Sequence, residues 1–533
     1  MANDIMREAI LNGKTVLGIE LGSTRIKSAL LNEKHDILAS GIYDWENKLE
    51  NGIWTYHLED VWTGLQTCYQ ELRNNVKKEY GVELEYIGAI GISGMRHGFL
   101  AFDSQKRLLA PFRTWRNVMT EQASAELVTL FEHQIPQRWS IAHLYKSILD
   151  DESYIKDICY MTTLSGYVHW MLTGELVLGS NDASGMFPID SKTKKYYAEM
   201  LEKFDAHIAD RGYPWKIEKI LPKPLVAGDM AGVLSETGAK LLDISGNLKA
   251  GIPMSPPEGD SGTGMVATNS IKVRSGNVSA GTSIFYNIVL EKRLSKVYKD
   301  IDIGTTPEGN TVALVHANNG TSDLNAWVGL FKEFCDTFGI EKSMSELYDG
   351  LYQKAMEGEK DCGGVLAYNY VSGEHSTDFE EGRPLVVRKP DAIFNLANFM
   401  RAHLMTSFGA IKLGNDLLMR EEQVKVDAVF GHGGLFKTEG AAQKLLASAL
   451  NVPVSFMKTA GEGGAWGGAV LAAYMLWKEK GETLSEYLDQ KVFVKSEFVT
   501  VHPDFEDVAG FQKFMERYTN GLAIERAAVD NLR

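Results

Sequence analysis

Cysteine is scarce in this sequence: its 533 residues contain only four, at Cys68, Cys159, Cys335 and Cys362. No two of them form a C-x-x-C pair, whereas zinc sites and disulfide scaffolds need cysteines at short, regular spacing. The count therefore excludes a zinc-ribbon protein and a small disulfide-stapled one. We expect four reduced thiols, as is usual for a cytoplasmic protein.

Basic residues are outnumbered, with 55 Lys and Arg against 70 Asp and Glu, a formal net charge of −15. Nucleic acids and anionic membranes attract basic surfaces, so we expect neither as a main partner. Long apolar runs are also lacking. Only residues 460–477 are almost free of charge, and they barely reach the length of a membrane span, so we interpret them as a buried loop and helix.

Several standard signatures are missing. Gly13-Lys14-Thr15 resembles the end of a Walker A loop, but Glu8 stands where that loop has its first glycine. The Gly431-His432-Gly433 segment is followed by Phe436, where a dinucleotide fingerprint has its third glycine. There is no H-E-x-x-H zinc helix and no G-x-S-x-G elbow. Any nucleotide site in this chain must therefore be of another design.

Buried strands alternate with helices along the chain, which is typical of an α/β fold. Residues 16–31 predict a strand, a short polar turn and a second strand, and residues 274–290 repeat that pattern. Two half-chains that each open with such a hairpin suggest two similar domains. We predict an N-terminal domain over 1–270, a C-terminal domain over 271–480, and a charged helical tail over 481–533.

The first hairpin turn carries candidate metal and phosphate ligands. Glu20 ends an apolar strand, where a carboxylate is costly to bury unless a hydrated Mg²⁺ or another group compensates it. Gly22 lets the backbone approach an anion, and Ser23, Thr24 and Arg25 follow it. The alternative is a plain hairpin with a polar turn.

Three further glycine-containing turns are candidate nucleotide contacts. Gly281-Thr282-Ser283 forms the second hairpin turn, which lacks a carboxylate and so suits a phosphate. Near the end of the chain, Gly433 and Gly434 follow one strand, and Glu462, Gly463 and Gly464 follow the next, each before a helix. Such turns place backbone N–H groups and helix N-termini beside a bound nucleotide.

Polar residues after two apolar segments are candidates for catalysis and sugar binding. Asp260 can accept a proton from an attacking hydroxyl, although the residues alone favour a helix N-cap, a position that Asp often occupies. Arg96 and His97 follow a buried strand, where a histidine is more often structural than functional. Trp115 and Asn117 combine an aromatic face with an amide, as sugar sites do; a partly buried surface tryptophan is the alternative.

Taken in order, these segments resemble the FGGY family of carbohydrate kinases. The resemblance covers about residues 16 to 477. It rests on the two phosphate turns, the G-I-S-G-M-R-H-G strand, the segments Leu172-Thr173-Gly174-Glu175 and Asn181-Asp182-Ala183-Ser184-Gly185, Gly259-Asp260, Asn318-Asn319-Gly320 with Trp327, Gly431 to Gly434, and Glu462-Gly463-Gly464-Ala465. Counted with residues 172–185 as one motif and the last two glycine turns as one, seven such motifs stand in the right order and form a strong signal.

The resemblance implies two actin-like (RNase H-like) α/β domains that flank a catalytic cleft. It implies transfer of the ATP γ-phosphoryl group to a sugar hydroxyl, with Mg²⁺. Asp260 is then the general base and Glu20 holds the hydrated metal. The two Ser/Thr turns position phosphates, the later glycine turns hold the adenosine, and Arg96, His97, Trp115 and Asn117 contact the sugar.

Four features depart from the family pattern. Glu20 replaces the usual Asp, Asn117 stands where xylulokinases usually carry Asp, and Arg116 replaces the Asn before it. In addition, Ser372-Gly373-Glu374-His375 lacks the Arg-x-Pro that often follows Gly-Glu. We therefore expect a ketopentose such as xylulose, with ribulose, gluconate or another ketose or polyol as alternatives. An actin-like ATPase without sugar kinase activity and a regulatory binding protein also stay open, as does a homodimer.

Overall fold

The computed structural model describes residues 2–457 and 463–532. The chain forms two compact units. The first comprises Met1–Ile271, Ile303–Val312 and Ala460–Lys495, and the second comprises Lys272–Asp302, Ala313–Thr459 and Ser496–Arg533. Each unit is therefore built from three separate stretches of chain.

Strands and helices alternate through the described residues. The strands are β1 (Val16–Leu21), β2 (Arg25–Leu31), β3 (Ile37–Asp44), β4 (Lys48–Glu50), β5 (Ile53–Thr55), β6 (Ala89–Gly94), β7 (Leu100–Phe102), β8 (Tyr160–Thr162), β9 (Val177–Gly179), β10 (Ile189–Asp190), β11 (Lys195–Tyr196), β12 (Lys223–Leu225), β13 (Glu258–Gly259), β14 (Ser275–Ala280), β15 (Ile284–Val289), β16 (Ile301–Thr305), β17 (Thr311–Ala317), β18 (Val365–Tyr368), β19 (Leu385–Arg388), β20 (Ala428–His432), β21 (Val454–Met457) and β22 (Phe498–Val501). The α-helices are α1 (Ala2–Leu11), α2 (Leu58–Tyr80), α3 (Glu121–Phe131), α4 (Ser140–Leu149), α5 (Leu164–Thr173), α6 (Ser180–Ala183), α7 (Ala198–His207), α8 (Ile217–Ile220), α9 (Glu236–Leu242), α10 (Asp260–Ala267), α11 (Ser322–Thr337), α12 (Met344–Met356), α13 (Leu396–Ser407), α14 (Gly409–Glu421), α15 (Ala441–Leu450), α16 (Gly464–Trp477), α17 (Leu484–Tyr487) and α18 (Phe505–Asn531).

The central sheet of the first unit has the strand order β13-β6-β1-β2-β3. Strands β1 and β2 form the predicted antiparallel hairpin, in register from Val16 opposite Leu31 to Leu21 opposite Ile26. Strand β6 pairs parallel to β1, and β13 pairs parallel to β6. Because β1 is central, its apolar side chains are buried, as a parallel-sheet strand requires.

A seven-stranded sheet repeats this arrangement around β14, in the order β16-β17-β15-β14-β20-β21-β22. Strand β14 forms an antiparallel hairpin with β15 and pairs parallel to β20, which pairs parallel to β21. The predicted α/β class with two domains is therefore confirmed. Helix α18 belongs to the second unit, where it buries Phe511, Phe514 and Tyr518.

Helix α16 lies against β1 and β6 of the first unit at backbone contact distance. A Cβ atom at Gly18 would lie 1.9 Å from the Ala465 carbonyl oxygen, and one at Gly91 would lie 2.1 Å from that of Gly468. Glycines on both the strands and the helix make this close approach sterically feasible. The charge-free run at 460–477 is thus explained, over its described part, by a buried helix.

We expect Gly18→Ala to lower the melting temperature, because the new methyl group cannot fit without moving α16. Overpacking of a dense core typically costs about 1–3 kcal/mol, and a contact with backbone on both sides belongs at the upper end. Gly350→Ala is the matched control, since it lies in α12 with no atom within 4 Å of the added Cβ. Thermal denaturation followed by circular dichroism compares the two; equal melting temperatures would contradict the close packing.

Among residues 2–457 and 463–532, we find no helix that combines the length and the apolar character needed to cross a bilayer.

Candidate functional site

The turn after β1 is braced from behind by two aromatic residues. Trp45 donates from its indole Nε1 to the Gly22 carbonyl oxygen (2.7 Å) and from its backbone N–H to that of Thr24 (3.1 Å). The Tyr56 hydroxyl donates to the Ser23 carbonyl oxygen (2.6 Å), and its ring stacks on Trp45. These hydrogen bonds occupy the carbonyl oxygens of the turn. The residues Ser23 and Thr24 are exposed to solvent. Their hydroxyl groups are thus available to an anion.

Arg25 lies at the other end of the same turn and is committed to a partner. Its guanidinium Nε donates to Asp44 Oδ1 at 2.9 Å, and both side chains are largely exposed. An exposed ion pair of this kind contributes little to stability and is easily exchanged for another anion.

Glu20 lies one residue before the end of β1 and faces the N-terminus of α16. Its carboxylate accepts the backbone N–H groups of Gly464 and Ala465. Burial and the nearby negative charge of Asp260 raise the pKa of Glu20, which Lys27 and the two amides partly offset. A divalent cation beside these two carboxylates would relieve their repulsion, and a carboxylate with waters is the ligand set that Mg²⁺ prefers. Glu20 therefore fits a hydrated Mg²⁺.

Asp260 is the first residue of α10, directly after β13. Its Oδ1 accepts the backbone N–H of Arg96 at 3.3 Å, and the backbone of Ser261 also donates to the carboxylate. Desolvation by the surrounding protein raises the pKa of Asp260, although part of the residue remains exposed to solvent. A carboxylate with a raised pKa and an open face can accept a proton from a bound hydroxyl.

The residues around Asp260 are held by Asn181 and Asp182 in the short helix α6. Asn181 Oδ1 accepts the Gly262 N–H (3.0 Å), and its Nδ2 donates to the Thr305 carbonyl oxygen (2.6 Å). The Asp182 N–H donates to Glu258 Oε2 (3.1 Å), and burial raises the pKa of Glu258 to about 8. This network ties α6 to both ends of the turn that carries Asp260. The sequence indicates the Asn181–Gly185 motif through the family resemblance, but it does not predict these hydrogen bonds.

Arg96 contacts Asp260 with its backbone, while its guanidinium group is engaged within the protein. The Nε donates to the Asn181 carbonyl oxygen (3.1 Å) and an Nη donates to Ser184 Oγ (2.8 Å). A Cβ at Gly304 would lie 2.6 Å from this guanidinium group. Arg96 therefore connects α6 with the segment that carries Asp260.

His97 adopts the left-handed conformation, with φ = 72°, which is strained for a residue with a side chain. Its Nδ1–H donates to the Gly185 carbonyl oxygen at 3.4 Å, and its ring stacks on Trp139. Burial and the positive charges of Arg96 and Arg138 lower the pKa of His97 far below its ordinary value. The imidazole is therefore neutral at physiological pH and can take part in neutral hydrogen bonds.

Trp115 and Asn117 lie in different environments. Trp115 is 40% exposed and presents its ring to solvent. Asn117 is buried, and its amide clamps the backbone of Trp54: Oδ1 accepts the Trp54 N–H (2.9 Å), while Nδ2 donates to the Trp54 carbonyl oxygen (2.8 Å). A carboxylate cannot donate, so the Asp usual in xylulokinases could not make this pair of bonds. The asparagine at position 117, in place of the usual Asp, therefore serves to hold the β4–β5 hairpin.

The turn Gly281–Ser283 belongs to the second unit, between β14 and β15. Its carbonyl oxygens are occupied, since Gly320 N–H donates to Thr282 (2.7 Å) and Thr321 N–H donates to Gly281 (3.1 Å). The side chain of Thr282 is exposed. As in the first turn, protein donors hold the backbone and a hydroxyl group is left available.

The remaining glycine candidates are only partly described. Gly433 has φ = 114°, and a Cβ there would lie 2.2 Å from the Ala280 carbonyl oxygen, so it lies directly beside the second turn. Gly434 follows at the start of a short 3-10 helix. Gly463 precedes α16 with φ = 67°, and Gly464 contacts Glu20. Glu462 lies outside the described residues.

Within the described residues, no group of three or more His, Cys, Asp and Glu side chains could hold a metal ion. A metal bound mainly through protein side chains therefore has no candidate site there. A hydrated Mg²⁺ on Glu20 differs in kind, because water and substrate oxygens supply most of its ligands.

Two family models match this chain, and together they cover most of it. Residues 15–267 match the N-terminal domain of the FGGY family of carbohydrate kinases, and residues 276–476 match its C-terminal domain. The xylulose kinase of Haemophilus influenzae is 22% identical over 530 residues, covering 95% of this chain and 99% of the relative.

Solved structures of similar fold include a xylulose kinase and a gluconate kinase, both from Lactobacillus acidophilus. The ligand-bound xylulose kinase aligns with a TM-score of 0.77 and 16% identity, covering 97% of this chain and 99% of the other. The gluconate kinase aligns with a TM-score of 0.75 and 17% identity, covering 97% and 98%. Kinases of two different substrates align almost equally well, so the fold alone does not select the sugar.

Proposed function

The chain belongs to the FGGY family of carbohydrate kinases, and on that premise we propose that it transfers the γ-phosphoryl group of ATP to a hydroxyl group of a ketopentose, with xylulose as the leading substrate. The similarity to a xylulose kinase over 95% of this chain supports this choice. The single observation that carries the chemistry is the place of the Asp260 carboxylate, which opens α10 with an exposed face and lies near enough to Glu20 for its charge to add to burial in raising the pKa of Glu20.

In the proposed reaction, the oxygen of the sugar hydroxyl attacks the γ-phosphorus while Asp260 accepts the proton of that hydroxyl. The bond from that phosphorus to the β,γ-bridging oxygen breaks, and ADP leaves. Phosphoryl transfer depends chiefly on positioning and charge neutralisation. Glu20 would hold a hydrated Mg²⁺, which supplies neutralisation of phosphate charge when bound.

The other candidate residues have positioning and binding roles in this proposal. Ser23, Thr24 and the turn Gly281–Ser283 offer hydroxyl and amide groups to phosphate oxygens. Neutral His97 and exposed Trp115 contact the sugar. Arg96 and Asn117 position other residues. The backbone N–H of Arg96 donates to Asp260, and the side chain of Asn117 holds the hairpin that includes Trp54.

A coupled ADP-release assay across pentuloses, hexuloses, aldonates and glycerol tests this proposal. We expect turnover to require a sugar, with kcat/KM highest for xylulose among the panel. Preference for ribulose or gluconate would keep the kinase and replace the substrate. Hydrolysis of ATP that no sugar stimulates would contradict the proposal and favour an actin-like ATPase.

A further inference from the structure

Glu374 is a buried acid for which the sequence offers no role. Only 1% of it is exposed, and it lies in the second unit between β18 and β19. Burial raises the pKa of its carboxyl group because desolvation disfavours the ionised form, and hydrogen bonds from Asn319, Ser376 and Asn318 partly offset the rise. Since burying a carboxylate is costly, the hydrogen bonds that it makes are expected to stabilise something specific.

Those hydrogen bonds converge on the segment that precedes α11. Glu374 Oε2 accepts the backbone N–H of Asn318 (3.0 Å) and that of Asn319 (3.2 Å), together with the Asn319 side-chain Nδ2 (3.2 Å). In return, Asn319 Oδ1 accepts the backbone N–H of Ser372 at 3.1 Å. The two segments therefore clasp each other through one carboxylate and one amide.

The clasped segment leads directly to the second phosphate turn. Gly320 follows Asn319 and donates its N–H to the Thr282 carbonyl oxygen at 2.7 Å. A Cβ at Gly320 would lie only 2.3 Å from the Gly281 carbonyl oxygen, so this contact has no slack. Any shift of Asn318 and Asn319 would therefore move the turn.

We propose that Glu374 is a positioning residue for nucleotide binding: by clasping Asn318 and Asn319 it fixes the turn Gly281–Ser283 at the geometry in which that turn meets the phosphates of ATP. This inference rests on the proposed function, in which the turn is a phosphate contact. Reactions that depend on positioning lose about 100-fold in rate from a displacement of about 1 Å. The retained Glu374, in a segment that lacks the usual Arg-x-Pro, is consistent with a role independent of those residues.

Two substitutions of Glu374 weaken its hydrogen bonds to Asn318 and Asn319 to different extents. Glu374→Gln keeps one oxygen that can accept from Asn318 and Asn319 but loses the negative charge that strengthens these hydrogen bonds. Glu374→Ala leaves the two backbone N–H groups without this acceptor, while Asn319 Nδ2 still donates to the Ser372 and Gly373 carbonyl oxygens. Glu381→Gln is the matched control, because Glu381 is exposed and lies seven positions further along the chain. If Glu374→Ala fails to fold, the glutamine variant still tests the inference.

The readouts are Kd for ADP by isothermal titration calorimetry, without sugar, and KM for ATP and for the sugar. Leaving a buried donor unpaired typically changes an equilibrium constant of the protein by about 5- to 150-fold, and we expect part of this cost to appear in nucleotide binding because the donors hold the phosphate turn. We expect Kd for ADP and KM for ATP to rise by about 5-fold in Glu374→Gln and by about 50-fold in Glu374→Ala. We expect KM for the sugar and the control variant to stay within about twofold of wild type, a change well below 1 kcal/mol.

Three results would overturn the inference. ADP binding as tight in a folded Glu374→Gln as in Glu381→Gln would show that the clasp does not act on the turn. Equal rises in the KM values for ATP and sugar would show a merely structural role. If the wild-type protein phosphorylates a sugar but the Glu374 variants give either of these results, the proposed function stands and only the inference about Glu374 is wrong. If the wild-type protein binds no ADP, the proposed function and the inference are both wrong.

Discussion

Asp260→Asn is expected to lower kcat by about 10²- to 10⁴-fold, the typical contribution of general base catalysis. Asparagine is nearly isosteric and keeps an oxygen that can accept the Arg96 N–H, so the turn at the start of α10 should keep its conformation. It cannot accept the proton of the sugar hydroxyl. The dissociation constant for ATP should change little, because this residue acts on the acceptor alcohol.

Steady-state kinetics together with calorimetric ATP binding separate these effects. Asp60→Asn is the control, since Asp60 is a half-exposed carboxylate in the first unit that pairs with Lys48. An unchanged kcat in Asp260→Asn would contradict the base role, and so would a loss of ATP binding that accounts for the fall in turnover.

The pH profile offers an independent check on the same group. A general base is active when ionised, so kcat/KM falls as the pH drops through the pKa of Asp260. Since the surrounding protein raises that pKa, the acid limb should lie above the range of an ordinary aspartate. His97 is not expected to contribute a limb near pH 6.5, because burial and neighbouring arginines keep it neutral there.

Glu20→Gln is expected to raise the Mg²⁺ concentration required for half-maximal activity by at least about 10-fold. Loss of even an indirect metal contact typically costs 10- to 100-fold in affinity, and here the charged ligand itself is lost. The glutamine carbonyl oxygen can still accept N–H groups from Gly464 and Ala465, so α16 should stay in place. Sugar binding should be unaffected, because the change concerns the metal and the phosphates.

A Mg²⁺ titration of the initial rate at fixed ATP and sugar measures this shift. Glu33→Gln provides the control, since Glu33 is exposed between β2 and β3. The metal role of Glu20 is wrong if the variant shows the wild-type Mg²⁺ requirement, or if its sugar KM rises while that requirement stays constant.

Local patterns in the sequence predicted the α/β class and the two hairpins. Both hairpins have apolar strands on either side of a Gly/Ser/Thr turn, and the structure has β1–β2 and β14–β15 at these places. Such elements are predictable because alternation, turn residues and strand length act over a few neighbouring residues. The family resemblance is likewise a property of short motifs in order, and the family models confirm it.

The roles of individual polar side chains depended on partners far along the chain. Arg96 is predicted to contact the sugar, and in the structure two of its guanidinium nitrogens donate to the Asn181 carbonyl oxygen and Ser184, while the sugar contact stays a prediction. Asn117 clamps Trp54, and Glu374 clasps Asn319. A motif specifies which side chains are available, but it does not say which of their donors a distant segment will occupy.

The sequence by itself therefore determined the class of fold, the hairpins and the chemical groups that the turns carry, because these depend on near neighbours. Only the tertiary structure decided that residues 464–477 pack in the first unit beside Glu20, and that Glu374 holds the loop before α11. The physical reason is that hydrogen bonds and close backbone contacts join residues hundreds of positions apart, as Gly18 and Ala465 are. No local pattern records such a pairing.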